Sequence, residues 1–222
     1  MRPLDILQQE IVACQRCPRL REHCSAVAVT KRRAYLDWEY WGKPVPSFGD
    51  PNARLLILGL APGAHGANRT GRMFTGDSSG DFLYRVLYET GFATQPTSVS
   101  ATDGLRLVDA YITASAHCAP PDNKPAKEEL ARCRPYLERE LQLLSNLRVV
   151  VALGRIAFET YLSIIGARKS AFTFAHAAVH HLGEGRPILI TSYHPSRQNT
   201  STGKLTHAML LAAFQSAKDF LT

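Results

Sequence analysis

A chain of 222 residues, 45% of them hydrophobic, can bury one sizeable core and is short for two, so a single domain over 1–222 is expected. Its formal charge of +7 favours polyanionic partners, because each neutralised phosphate releases counterions. No run reaches the ~20 apolar residues of a membrane span, and the opening MRPLDILQQE puts acids where a secretory leader needs an apolar stretch, so a cytoplasmic protein is expected; a monomer is expected as well.

The first predicted element is a helix from residue 5 to about 24. Residues 31–53, rich in Pro, Gly and aromatics, read as an extended basic loop. Its Lys31, Arg32 and Arg33, with Arg16, Arg19 and Arg21 before them, suit a solvated face as well as a phosphate contact. Residues 54–59 (RLLILG) form a continuous apolar run, the pattern of a strand buried on both faces. A glycine-containing loop follows, then a helical pattern over 81–90 that Gly91 can stop. A second strand spans 110–115. Pro125 suits the first turn of the next helix, which runs to about 146 with a kink or break at Pro135. A third strand (148–153), a helix from Gly154 to about 165, a fourth strand (187–192) and a final amphipathic helix (205–221) complete the chain. Buried strands alternating with helices predict an α/β fold, a parallel sheet with helices on both faces. Ligands in such folds sit beyond the carboxyl ends of the strands.

Five cysteines, an odd number, argue against a disulfide framework. Cys14 and Cys17 form a C-x2-C pair, and Cys118 and Cys133 a wider one. Three readings stand: small buried hydrophobes, a redox pair at C-x2-C, or thiolate ligands of zinc or an iron–sulfur cluster. Cys24 matches neither spacing and reads as a non-ligand.

Three strand ends carry the distinctive residues. GLAPGAHGAN (59–68) and GRMFTGD (71–77) leave the first strand. Their glycines let backbone N–H groups approach a ligand, and the helix N-terminus behind them favours an anion. No Gly-Lys-Ser/Thr ends the loop, so it is not a P-loop. HCAPPDNKP (117–125) ends the second strand, and HPSRQN (194–199) the fourth. Together with the cysteines these motifs resemble the uracil-DNA glycosylase superfamily in its iron–sulfur branch, most nearly family 5, across almost the whole chain. The resemblance implies a three-layer α/β/α fold with a central four-stranded parallel sheet. It implies a [4Fe–4S] cluster, with zinc as the alternative, on Cys14, Cys17, Cys118 and Cys133. The implied activity is base-excision repair: extrusion of uracil from double-stranded DNA and hydrolysis of its N-glycosidic bond. Related family 4 enzymes have an acid where this chain has Leu60, and a base-reading Asn where it has Ala114.

Carried over residue by residue, Phe74 stacks on the flipped base, His194 donates near uracil O2, and Ala114 lines the pocket. The departures at Leu60 and Ala114 leave no polar residue at the usual water-activating position, so Asp77 and Asn123, the nearest polar candidates, with backbone groups of Gly63 and Ala64, are expected to hold the attacking water. The loop 197–202, including Arg197, Gln198 and Asn199, presses into the minor groove. Each has a plainer reading. Asp77 can merely cap the helix opening at Ser78, Asn123 can form a turn before Pro125, His194 can be a turn residue, and Phe74 can be core. His65 reads as a phosphate contact or a loop organiser, and His180 and His181 as structural. Leu60 and Ala114 suggest a roomier pocket that also takes deaminated bases such as hypoxanthine. Two other functions fit parts of the pattern: a nucleotide-binding hydrolase using the glycine loop, and a non-catalytic, cluster-bearing DNA-binding protein.

Overall fold

The computed structural model describes residues 1–222. Its helices are α1 (Pro3–Val12), α2 (Pro18–Thr30), α3 (Ala67–Thr70), α4 (Ser78–Glu89), α5 (Lys127–Leu143), α6 (Arg155–Ile164), α7 (Arg197–Ser201) and α8 (His207–Asp219). Its strands are β1 (Phe48–Gly49), β2 (Leu55–Gly59), β3 (Ala110–Ala114), β4 (Val149–Leu153), β5 (Val179–His180) and β6 (Ile188–Ser192). They form one sheet in the order β1-β3-β2-β4-β6-β5.

The four strands read from apolar runs are the parallel centre, with Leu55 beside Ala110 and Val149, and Val149 beside Ile188. The sheet has six strands rather than four. β1 and β5 pair antiparallel at its two edges. Each edge strand is only two residues long, too short to display a hydrophobic period, and so leaves no mark in the sequence.

Alternate residues of the central strands feed opposite faces. Leu55, Ile57, Ile112, Val149, Val151 and Ile190 pack with α4 and α8. Leu56, Leu58, Tyr111, Val150, Ala152 and Leu189 pack with α1, α5 and α6. The result is helix, sheet, helix. No helix is long and apolar enough to cross a membrane.

Several boundaries differ from the sequence reading for identifiable reasons. The first helix is two helices, broken over 13–17. Pro18 disfavours helical geometry at Cys17 and opens α2 at its first position, where its missing N–H costs nothing. Pro125 precedes the cap of α5 instead of lying in its first turn, because the Glu129 carboxylate accepts from Ala126 N at 2.7 Å and starts the helix there. α5 then runs unbroken through Pro135. Pro135 and Ala131, whose carbonyl it leaves unbonded, both lie on the exposed face. α4 begins at Ser78, three residues early, because Asp77 caps it. The segment read as a loop over 197–202 contains α7, capped by Ser196, whose Oγ accepts from Asn199 N at 3.3 Å.

Candidate active site

Parallel strands deliver their carboxyl ends to one edge of the sheet. The loops after β2, β3 and β6 therefore meet there, around a cleft of about 510 Å³. Strand order reverses between β2 and β4, the usual position of such a crevice. Gly63, Phe74, Asp77, Ala114, Asn123, His194, Arg197 and Gln198 all line it, from segments up to 135 residues apart in sequence. Leu60 lines it too. Asp122, which lies in the 117–125 motif without an assigned role, joins them, as do Ser78 and Ser79 from outside the motifs. Ala64 does not face the cleft; it packs towards Cys17, Cys24 and Cys118. Asn199 turns inward, its Nδ2 donating to the His194 carbonyl at 2.8 Å.

Asp77 is both cap and cleft residue. Oδ1 accepts from Ser79 N and Gly80 N, each at 3.0 Å, which anchors the carboxylate on the helix N-terminus. Oδ2 faces the glycine loop. A Cβ at Gly63 would lie 2.8 Å from Oδ2, and one at Gly66 would collide with the carboxylate. Glycine at both positions lets the backbone close over Asp77. Burial pushes the Asp77 pKa above the usual aspartate range, with the two N–H donors opposing the shift and Asp81 adding to it.

Phe74 sits at φ 51° in the left-handed region, and its ring lies across the end of β2, where a Cβ at Gly59 would approach it to 3.1 Å. The ring is 5.8 Å from that of His194, centroid to centroid, at 30°. Burial lowers the His194 pKa to about 4, so its imidazole is neutral at physiological pH. Asp122 and Asn123 are consecutive left-handed residues (φ 53° and 56°), a conformation their short polar side chains tolerate.

A buried network fixes the turn that carries Phe74. Arg72 pairs with both oxygens of Asp103 at 2.9 and 2.8 Å and donates to Thr75 Oγ1 and Ser98 Oγ. Tyr84 donates to Met73 O at 3.0 Å. Arg69 bridges the two halves of the glycine loop, donating to His65 O at 2.8 Å and Gly76 O at 2.6 Å. Its guanidinium stacks on Tyr35 and Trp38, 3.8 and 4.1 Å from their centroids, which ties the basic 31–53 segment to the cleft. His65 Nδ1 lies 3.1 Å from Tyr40 Oη on the same seam, a loop-organising contact. On the other side, His176 stacks on Tyr193. The Met209 carbonyl accepts from its Nε2 at 3.2 Å, which leaves Nδ1 to accept from Tyr193 N at 3.4 Å. His176 thus holds the backbone just before His194, a role with no local sequence signal.

Cys14, Cys17, Cys118 and Cys133 border one cavity, drawn from the α1–α2 break, the β3 loop and α5. All five cysteines are free thiols. Cys24 is fully buried against Ala119 O at 3.5 Å and is absent from that lining. Burial, then the neighbouring thiols, raise the pKa of Cys17 and Cys133, the latter to about 12. Four thiolates would repel one another there unless a cation stood among them.

Comparison with known proteins agrees with this architecture. The family model for the uracil DNA glycosylase superfamily matches residues 46–218. A type-5 uracil-DNA glycosylase of Thermus thermophilus is 53% identical over 95% of this chain and 94% of its own length. One from Pyrobaculum aerophilum is 46% identical over 91% and 86%. A type-4 uracil-DNA glycosylase of Sulfurisphaera tokodaii is 26% identical over 88% and 76%. With its β2, β3 and β6 loops gathered on one cleft and its nearly full-length similarity to the type-5 enzymes, the chain belongs to the uracil DNA glycosylase superfamily, in its type-5 group.

Proposed function

We propose that this protein is a base-excision repair enzyme that hydrolyses the N-glycosidic bond of uracil in double-stranded DNA and leaves an abasic site. The observation that carries the reading is the convergence of Phe74, Asp77, Asn123 and His194 on one cleft. A base inside a duplex is out of reach, so it must be extruded, at a cost of about a few kcal/mol that is least for a mispaired base. Arg197 and Gln198, exposed on α7 at the rim, engage the DNA there. The flipped base stacks on Phe74.

Bond cleavage places positive charge on the sugar and negative charge on the departing uracil. His194 donates from its neutral imidazole to uracil O2 and stabilises the leaving anion. Asp77 Oδ2, the Asn123 side chain and the backbone at Gly63 hold the water, and the carboxylate also opposes the cationic sugar. Backbone N–H groups hold Asp77 in place by Oδ1, so Oδ2 is free for this work. The same contact disfavours a nucleotide-binding hydrolase. The α4 N-terminus, where a phosphate would dock, already holds the protein's own carboxylate.

The four cysteines border a shared cavity and would hold a [4Fe–4S] cluster, a donor set that soft thiolates provide. Zinc is the alternative occupant of the same four thiolates. When bound, the cluster supplies a crosslink among three chain segments and takes no part in cleavage. Leu60 and Ala114 leave the cleft wall without a base-reading polar group there, so hypoxanthine is a further substrate.

The test is incubation with duplex DNA containing U·G, followed by alkali. Strand breaks are expected for the native enzyme, and Asp77→Asn should be slower by about 10²–10⁴-fold, the range of a positioned general base. No breaks from cluster-loaded protein would leave only a DNA-binding role. Duplex containing inosine should also be cut; background activity there, beside efficient uracil removal, would refute the roomy pocket.

A further inference from the structure

The cysteine cavity is bordered by more than sulfur. Arg21, on α2, lines it beside Cys14, Cys17, Cys118 and Cys133. Its Nη2 donates to Gly42 O at 2.9 Å. Its Nε and Nη1 are buried and make no hydrogen bond of standard geometry, and the guanidinium stands beside the Cys118 thiol. His117 lines the same cavity; its Nδ1 donates to Val45 O at 2.8 Å, and its Nε2 is likewise buried without a partner. Three of the chain's six unpartnered buried side-chain nitrogen and oxygen atoms therefore belong to residues around this one space.

Buried donors left without acceptors are costly, and those of a charged group most of all. The two Arg21 donors at this cavity indicate that an acceptor fills it in the working protein, whereas His117 Nε2, with the ring proton on Nδ1, is an unpaired acceptor there. No carboxylate is free to serve. Glu129, the one acidic residue in the lining, is already paired with Arg19 at 2.6 Å and with Ala126 N at 2.7 Å. The acceptors within reach are the cysteine sulfurs and whatever they hold.

We propose that Arg21 is the counter-charge of the iron–sulfur centre, its Nε–H and Nη1–H donating to sulfur atoms of that centre. The proposal rests on the cluster reading of the four cysteines. A fixed cation and hydrogen bonds to sulfur favour the more negative, reduced state, so Arg21 raises the reduction potential. No other cation of the lining stands in the same position: Arg16 lies over the Tyr136 ring, 4.9 Å from its centroid, and Arg132 is exposed and donates to Arg16 O.

The experiment compares holoenzyme with Arg21→Gln, Arg21→Lys and, as a charge control, Arg132→Gln. Iron, zinc and acid-labile sulfide are measured per chain, folding is followed by circular dichroism, and midpoint potentials come from mediated redox titration. Native protein carrying zinc or no metal would dispose of the cluster reading, and of Arg21's role with it. Given a cluster, Arg21→Gln should load fully and titrate at a more negative potential. Arg21→Lys should fall between it and the native value, and Arg132→Gln should move least. Native potentials in both Arg21 variants would overturn the proposal while leaving the cluster intact. Where Arg21→Gln binds no iron, Arg21→Lys decides: a more negative potential supports the role, and an unchanged one removes it. Failure of both to load would make Arg21 a scaffold residue tied to Gly42, which also overturns it.

Discussion

Asp77 joins a structural duty to the chemical one proposed for it, and the two share the carboxylate oxygen by oxygen. Oδ1 satisfies the amides of Ser79 and Gly80, and Oδ2 faces Gly63 and Gly66. Because burial raises the Asp77 pKa, its ionisation, and with it kcat/KM, should fall on the acid side at a pH above the ~3.9 of an ordinary aspartate. His194, at about 4, stays neutral over most of that range. The limb should therefore persist in His194→Gln and vanish in Asp77→Asn. Profiles of kcat/KM on uracil-containing duplex from about pH 4.5 to 8 decide this, and an unchanged limb in Asp77→Asn would assign it elsewhere. Gly66→Ala makes a steric counterpart. Its methyl collides with the carboxylate, so activity should collapse although no cleft side chain has been removed.

At the scale of elements, the turn from Gly71 to Asp77 is held from beneath. Arg72 is 4% exposed and its partner Asp103 12%, so truncating one strands the other. Arg72→Ala should lose about 3–5 kcal/mol in urea unfolding, as for a broken buried ion pair, and should loosen Phe74 with it. Burial works against ionisation of Asp103, yet Arg72 and the amides of Leu105, Val99 and Ser100 hold its pKa down to about 2. A depressed pKa gives stability that is fully present above the unfolded value of ~3.9 and is lost as pH falls towards 2. In Arg72→Ala that acid-dependent part should shrink. An equal pH slope in both proteins would show that the backbone amides alone hold Asp103. The α1–α2 break belongs to this scale as well. It sets Cys14 and Cys17 in a non-helical stretch, whereas a continuous helix would have locked them along one surface.

For the molecule as a whole, the cysteine centre joins the N-terminal helices to α5 and to the loop that ends in Asn123. The Arg19–Glu129 pair crosses the same seam at 2.6 Å. Removing the proposed cluster, by oxidative bleaching and chelation or by Cys133→Ala, should lower Tm and weaken uracil excision together, with absorbance near 400 nm reporting the loss. Full activity and unchanged Tm in metal-free protein would separate the centre from the fold.

The sequence by itself determined the α/β class, the four central strands, the three motif-bearing loops and the cysteine set. Each of these is written in local pattern: continuous apolar runs, glycines between strand and helix, paired thiols. The family's motifs added the assignment of roles, which spacing alone could not supply. What only the tertiary structure decided was the company those residues keep. The two edge strands are too short for a period and form by pairing with β3 and β6. The turn of Asn199 away from the cleft, the stacking of Arg69 on Tyr35 and Trp38, the support of Tyr193 by His176 and the orphaned donors of Arg21 all depend on contacts between distant segments. A one-dimensional pattern records which side chains are available. Burial and the satisfaction of polar groups decide which of them meet, and those are properties of the packed chain.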